Sequence, residues 1–183
     1  RDFRNLRIWS AACATGQEPY SIAMVMDDMA RDFAGWRVDI VASDVSQAAL
    51  AAARAGVYSQ FEVQRGLPTP MLLRYFRKDS QGWRVSEHLQ AAIDFRHVNL
   101  VSDFGALGHF DVVLCRNVLM YMDVDRRRDI LRRIAAQLAP DGYLLLGATE
   151  TIVGLSDEFA PTPGFAGLFT HRPQKRGAVR LVV

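Results

Sequence analysis

The sequence predicts an α/β fold in which a doubly wound, mostly parallel sheet carries a small inserted antiparallel β-subdomain. Three observations lead there. Strand-like and helix-like runs alternate along most of the 183 residues, the order that lays helices on both faces of a parallel sheet. The run Phe110-Asp-Val-Val-Leu-Cys115 is almost wholly apolar, as strands covered on both faces are. Several strand-like runs end in small or polar residues, where such sheets open a ligand crevice at their carboxyl ends. With half of the chain hydrophobic and 23% charged, one domain can bury a core without a disulfide or metal staple.

Each element has its own local reason. Leu6–Ala12 is a short strand that ends in small residues. Pro19 suits the first turn of a helix, and Ile22, Ala23, Val25, Met26 and Met29 recur at helical spacing to about Phe33, with Gly35 as the stop. Arg37–Ala42 is a β-branched strand closed by Ser43-Asp44, and Ser46 caps an alanine-rich helix running to about Ala55, before Gly56. Pro68 and Pro70 punctuate a less regular stretch, after which Met71–Phe76 reads as helical. Gly82–Val85 and Ile93–Val98 alternate like a half-exposed antiparallel pair, which places the inserted β-subdomain at about 77–98. Beyond the Phe110 strand, Asp123 or Asp125 caps a helix with Ile130, Leu131, Ile134 and Leu138 on one face. Pro140-Asp-Gly142 is a turn, Tyr143–Leu146 a strand, and Phe165–Thr170 the last strand. The domain is therefore expected over 1–172, with 173–183 as a C-terminal tail.

Composition excludes several function classes. A formal net charge of +2 is too small for a nucleic-acid surface. No window nears the roughly 18 uninterrupted apolar residues of a membrane span. Cys13 and Cys115 sit far apart in apolar runs, as reduced thiols of a cytoplasmic protein do. His88, His97, His109 and His171 lack ligand spacing with Cys or carboxylates, so no metal site is predicted. There is no G-x-S-x-G elbow, P-loop or Cys-x-x-Cys. Arg126-Arg-Arg128 and Arg132-Arg133 interleave with Asp125 and Asp129 as a solvated, ion-paired helix face does. The chain opens Arg-Asp-Phe, with neither an initiator Met nor a signal-peptide pattern, and reads as a piece of something longer.

The strand ends hold the candidate site. Ala11-Ala12-Cys-Ala-Thr-Gly-Gln-Glu18 lets backbone approach a ligand closely, although a tight strand-to-helix turn accounts for it as well. It is not G-x-G-x-x-G, which argues against a dinucleotide. Asp44 ends the second strand, where an acid accepts hydrogen bonds from both hydroxyls of a ribose; its other use, as an N-cap, is already met by Ser46. Asn99-Leu100 and Arg116-Asn117-Val118 follow later strands. An amide offers donor and acceptor to an adenine or to the amino-acid end of a cofactor, though an isolated asparagine is more often a turn former.

These residues carry a resemblance. Arg7-Ile-Trp-Ser-Ala-Ala-Cys-Ala-Thr-Gly-Gln-Glu-Pro-Tyr-Ser-Ile-Ala23 closely resembles the first motif of CheR-type chemotaxis receptor (protein-glutamate) O-methyltransferases. Ala42-Ser-Asp44, Ala53–Tyr58, Phe110–Tyr121 and Pro140–Gly147 are similar to further motifs, so the likeness runs from Arg7 to Thr170. It implies the family's Rossmann-like, S-adenosyl-L-methionine-dependent catalytic domain, without the helical N-terminal domain that precedes it. The implied cofactor contacts are Ala11, Ala12, Glu18, Asp44, Asn99, Leu100, Asn117 and Val118, with S-adenosyl-L-homocysteine as product. Arg116 and Tyr121 are implied to flank the methyl-transfer position, Tyr121 as a substrate-orienting group. Glycines of the general methyltransferase loop are replaced by Ala12 and Ala14, a departure characteristic of the family; Gly16 remains.

The resemblance implies methylation of chemoreceptor glutamates in bacterial chemotaxis adaptation. Its implied partners are the cytoplasmic helices of methyl-accepting receptors and, as in some members of the family, a receptor C-terminal peptide added as a strand to the β-subdomain, which reads equally as a purely structural hairpin. Neither nucleic acid nor membrane insertion is expected. A non-catalytic, methyltransferase-like cofactor-binding or scaffold module is the alternative. A nicotinamide oxidoreductase is opposed by the missing G-x-G-x-x-G and Tyr-x-x-x-Lys.

Overall fold

The computed structural model describes residues 4–172, so the tail expected at 173–183 lies outside the described residues. Its first half is regular: β1 (Asn5–Ala11), α1 (Gln17–Asp28), β2 (Arg37–Asp44) and α2 (Gln47–Ala55). Short elements follow: β3 (Val57–Tyr58), α3 (Gln60–Gln64), α4 (Thr69–Tyr75), β4 (Phe76–Lys78), β5 (Trp83–Val85) and α5 (Glu87–Ala91). The chain continues through β6 (Ile93–His97), β7 (Phe110–Cys115), α6 (Val124–Gln137) and β8 (Leu138–Leu146). It closes with β9 (Phe159–Pro161) and β10 (Leu168–His171).

The main sheet has the order β6-β2-β1-β7-β8-β10-β9. Strands β6, β2, β1, β7 and β8 are mutually parallel, and β10 runs antiparallel to β8 and β9. The chain builds outward from β1 through β2 and then returns to its other side with β7, so the topological switch point lies between β1 and β7. A doubly wound sheet binds its ligand there.

Two apolar clusters cover the sheet. Trp9, Phe104, Phe110, Ile130, Leu131, Ile134 and Phe159 belong to one; Tyr20, Met24, Ile40, Leu50, Tyr75 and Leu89 belong to the other. Side chains of this size contribute about 1.5–3 kcal/mol each on full burial. Local signals set the helix ends. Ser46 caps α2 by accepting from the Ala49 N–H, and Gly56 closes it in the left-handed region at φ 59°. Asp123, not Asp125, caps α6 through the Arg126 N–H at 2.9 Å.

Five sequence expectations change. Helix α1 ends at Asp28 rather than near Phe33. Its last turn carries Asp27 and Asp28 with no basic residue, which opposes the helix dipole. The expected Gly82–Val85 and Ile93–Val98 pair does not form. β6 instead joins the main sheet parallel to β2, and its alternation reflects an edge strand with one face in water. The separate small sheet has the order β3-β5-β4, all antiparallel, so the insertion spans 57–85 rather than about 77–98. Pro140-Asp-Gly142 is not the expected turn ahead of a Tyr143–Leu146 strand: β8 already starts at Leu138, and its register on β7 passes from Phe110–Leu138 to Val112–Tyr143 through an irregularity. The last strand begins at Leu168 rather than Phe165, and the short β9 beyond it had no sequence expectation.

Candidate functional site

Register alone aligns the strand ends. Ala11 lies opposite Ser43 on one side and Cys115 on the other; Asp44 faces His97, and Cys115 faces Leu146. The segments that leave these ends carry every residue expected at the site: 11–18, 44, 99–100 and 116–121. All emerge along the carboxyl edge of the sheet.

The β1–α1 turn is an uncommon backbone. Ala12 and Ala14 both have positive φ, 56° and 49°, and Gly16 follows at 95°. Left-handed alanine costs roughly 1–2 kcal/mol, so the surroundings must hold it. They do so with three bonds: the Cys13 N–H to the Ser43 carbonyl at 2.8 Å, the Ala14 N–H to Asp44 Oδ2 at 2.9 Å, and the Tyr58 hydroxyl to the Thr15 carbonyl at 2.8 Å. Gly16 is required by space as well, since a Cβ there would lie 2.9 Å from the Ala53 Cβ. Asp44 therefore ties two loops together: its Oδ1 also accepts from the Ser46 N–H at 2.8 Å. Each carboxylate oxygen can accept a second bond, so a diol remains within the capacity of the group.

A second anchor joins β1, α1 and the end of β7. Glu18, in the first turn of α1, accepts from the buried Ser10 hydroxyl at 2.7 Å and from Arg116 Nη1 at 3.0 Å. The third is a loop. Asn117 sits in the left-handed region at φ 58°, and a 3-10 turn over Leu119–Tyr121 follows. The Asn117 and Val118 N–H groups donate to Glu150 Oε2 and Oε1 at 2.7 and 3.0 Å. Tyr121 closes this turn with 82% of its surface exposed.

Asn99 and Leu100 share no hydrogen bond with these groups. Asn99 Oδ1 accepts from the Val101 N–H at 3.1 Å, an Asx turn, and Leu100 is buried. The Leu100 carbonyl accepts from Arg133 Nη2 at 2.7 Å. Arg133 is thus a brace for this loop as well as a partner of Asp129; Arg128 and Arg132 form the expected ion pairs with Asp125 and Asp129, and Arg126 pairs with Asp123. Both thiols are buried and free. Burial, aided by the Asp44 charge, raises Cys13 to about 12, and burial raises Cys115 further. Among the described residues no three His, Cys, Asp or Glu side chains are grouped to hold a metal ion. An apolar cavity of about 320 Å³ between α1 and the insertion, walled by Tyr20, Met24, Tyr58, Val63 and Phe76, includes none of the expected site residues.

The model of the family "CheR methyltransferase, SAM binding domain" matches residues 1–166. The chain belongs to the CheR methyltransferase family. S-adenosyl-L-methionine (SAM) is the cofactor of the matched domain. Chemotaxis protein methyltransferase 1 of Pseudomonas aeruginosa is 44% identical over 160 residues, which is 85% of this chain and 58% of that protein. The chemotaxis protein methyltransferase of Escherichia coli K12 is 39% identical over 159 residues, 84% of this chain and 54% of its own length. The chain thus spans a little over half the length of the curated relatives it matches. Among solved structures, a TehB-like SAM-dependent methyltransferase from Corynebacterium glutamicum aligns with a TM-score of 0.54 at 14% identity, over 92% of this chain and 82% of that one. The glycopeptide N-methyltransferase MtfA complexed with SAM aligns at 0.51 and 14% identity, over 91% and 59%. These two show the fold.

In this CheR-family domain, sequence reasoning missed Ser10, Arg133 and Glu150. Ser10 had a signal, a hydroxyl inside the otherwise apolar Trp9–Ala11 run. Glu150 gave no comparable signal: it lies four residues past the end of β8, whereas Asp44 is the last residue of β2.

Proposed function

We propose that this chain is the catalytic, cofactor-binding domain of a cytoplasmic protein-glutamate O-methyltransferase acting on chemoreceptors. One observation carries the reading: Asp44, Glu18 and the Asn117-Val118 loop come to one edge of the sheet, beside a β1–α1 turn stripped of bulk at Ala12 and Ala14. The donor set fits the cofactor. Asp44 accepts from the two ribose hydroxyls, and Glu18 offers its carboxylate to the α-ammonium group. Ala11 and Ala12 let backbone approach, while Asn99, Leu100, Asn117 and Val118 supply the remaining contacts.

SAM held there supplies an electrophilic methyl group and leaves as S-adenosyl-L-homocysteine. A glutamate acceptor with a pKa of about 4.3 is ionised at neutral pH, so the protein need supply no general base. Its task is to hold the carboxylate about 3 Å from the methyl carbon and to exclude water. Tyr121 donates to one carboxylate oxygen, and Arg116 contributes charge to the approach of the acceptor. The acceptors are glutamates on cytoplasmic helices of methyl-accepting chemoreceptors, a reading supported by the P. aeruginosa and E. coli relatives' being named chemotaxis protein methyltransferases. The edge strand β4 of the small sheet is the place for a receptor C-terminal peptide to add as a strand. No helix among the described residues is long and apolar enough to cross a membrane.

The test has two arms. Calorimetry of the full chain with S-adenosyl-L-homocysteine is expected to show one site, with no heat from NAD. Receptor-containing membranes are expected to gain base-labile label from methyl-labelled cofactor. Cofactor binding without label transfer to any receptor would leave the non-catalytic module as the function.

A further inference from the structure

We propose that Glu150 is the positioning residue of the transfer site: one carboxylate that sets the backbone of the cofactor loop and of the turn carrying Tyr121. The inference rests on the cofactor-binding reading above. Five backbone N–H groups converge on this side chain. Oε2 accepts from Asn117 at 2.7 Å and Gly147 at 2.8 Å; Oε1 accepts from Val118 at 3.0 Å, Leu119 at 2.9 Å and Met120 at 3.4 Å. Three of these donors open a 3-10 turn, whose first N–H groups have no partner within the turn. A carboxylate is the side chain suited to such a cluster, because it accepts on both oxygens and donates nothing.

The arrangement is specific rather than incidental. Asn117 is held at φ 58°, a region that non-glycine residues occupy at a cost, and its N–H makes the shortest of the five bonds. Gly147 leaves no room for alternatives, since a Cβ there would lie 2.8 Å from Glu150 Oε2 and 2.9 Å from the Asn117 Nδ2. The Glu150 N–H in turn donates to the Gly147 carbonyl at 2.9 Å, so the carboxylate is aimed from a closed turn at the end of β8. Two strand ends, those of β7 and β8, are thereby locked to each other through one side chain. The residues fixed are Asn117 and Val118, which hold cofactor, and Tyr121, which meets the acceptor. Glu150 touches neither ligand and acts through them.

Glu150→Gln tests this with size preserved, because the amide must turn an NH₂ toward the backbone donors. Affinity for S-adenosyl-L-homocysteine is measured by calorimetry for the wild type, Glu150→Gln, Asn117→Gly and the double variant, each with its melting curve. Glu150→Gln is expected to weaken binding about tenfold or more, and to add much less than that in the Asn117→Gly background, as coupled neighbours do. A purely structural role would multiply the two losses, and that result would overturn the proposal. So would affinity within about twofold of wild type in a cooperatively melting Glu150→Gln protein. If Glu150→Gln does not fold, Glu150→Asp, which keeps the charge and shortens the reach, carries the same comparison. Failure of the wild type to bind at all would overturn the cofactor reading itself, and the positioning role with it.

Discussion

Arg116 Nη1 donates to Glu18 Oε2 at 3.0 Å, while the other oxygen of Glu18 accepts from the fully buried Ser10 hydroxyl at 2.7 Å. Glu18 is thus a mostly buried anion with one fixed neutral partner and one exchangeable cationic one; its side chain is 20% exposed against 41% for Arg116. A cofactor ammonium can take the place of the guanidinium without changing the local charge balance. Glu18→Gln is therefore expected to weaken SAM binding by about 1.5–3 kcal/mol, the range of a charge-assisted hydrogen bond. Arg116→Ala should leave cofactor affinity nearly unchanged and lower the rate of methyl transfer instead. Calorimetry and a labelled-methyl assay on both variants decide it. Equal affinity of wild type and Glu18→Gln would remove Glu18 from the cofactor site.

Asp44 braces two loops and is the proposed ribose acceptor, and its variants should separate the two roles. It receives the Ala14 and Ser46 N–H groups at 2.9 and 2.8 Å, and it is the expected acceptor for a ribose. Asp44→Ala removes the acceptor of both amides, which are exposed to water, and is expected to cost about 0.5–1.5 kcal/mol of stability, read by denaturant unfolding, besides loss of cofactor affinity. Asp44→Asn keeps one acceptor oxygen, so it should recover part of the stability and little of the affinity. A folded Asp44→Ala protein that binds the cofactor like wild type would disprove the ribose assignment.

Much of this was readable in the sequence, and the boundary has a physical origin. Phe110–Cys115, the Ser46 cap and the Gly56 stop are local signals, and each lies where expected. The strand-end positions of Asp44 and Asn117 were readable because a doubly wound sheet fixes where strand ends go. The small sheet was not. Its strands are two or three residues long, and what welds them is a close approach: a Cβ at Gly82 would lie 2.5 Å from the Tyr58 carbonyl oxygen. The Glu150 cluster was hidden for the same reason, since the acid bonds backbone about thirty residues away in a different loop. Side-chain identity announces a helix cap within three residues; it does not announce a cap delivered from another strand.

Tyr121 is exposed over 82% of its surface, so its hydroxyl contributes little to folding. Tyr121→Phe is accordingly expected to change stability by less than about 0.5 kcal/mol. Cofactor affinity should also hold, because the residue lies beyond the loop proposed to contact it. The rate of receptor methylation should fall by about ten- to a hundredfold, the scale of one lost hydrogen bond to a charged acceptor. A parallel fall in cofactor affinity would mark Tyr121 as a wall of the cofactor pocket.

The last prediction concerns alkaline pH and follows from Cys13, which lies between the two left-handed alanines. Its thiol is raised from an ordinary 9.0 to about 12, first by burial and then by the Asp44 carboxylate. Burial raises Cys115 as well. Above the ordinary value the unfolded chain releases these protons and the folded chain keeps them, so the unfolded state binds fewer. The stabilising contribution of each thiol is therefore complete below about pH 9 and is lost as pH rises toward 12. The limiting slope is about −1.4 kcal/mol per pH unit for each thiol. Urea unfolding at about pH 8, 9 and 10.5 should show stability falling across the upper interval. Cys13→Ala should flatten part of that fall, whatever it costs in packing at neutral pH. Native Cys13 should also resist iodoacetamide at about pH 8 and react once the chain is unfolded in urea. Stability that stays level to pH 10.5, or brisk alkylation of the native thiol, would show that the β1–α1 turn opens far more readily than its three anchoring hydrogen bonds allow.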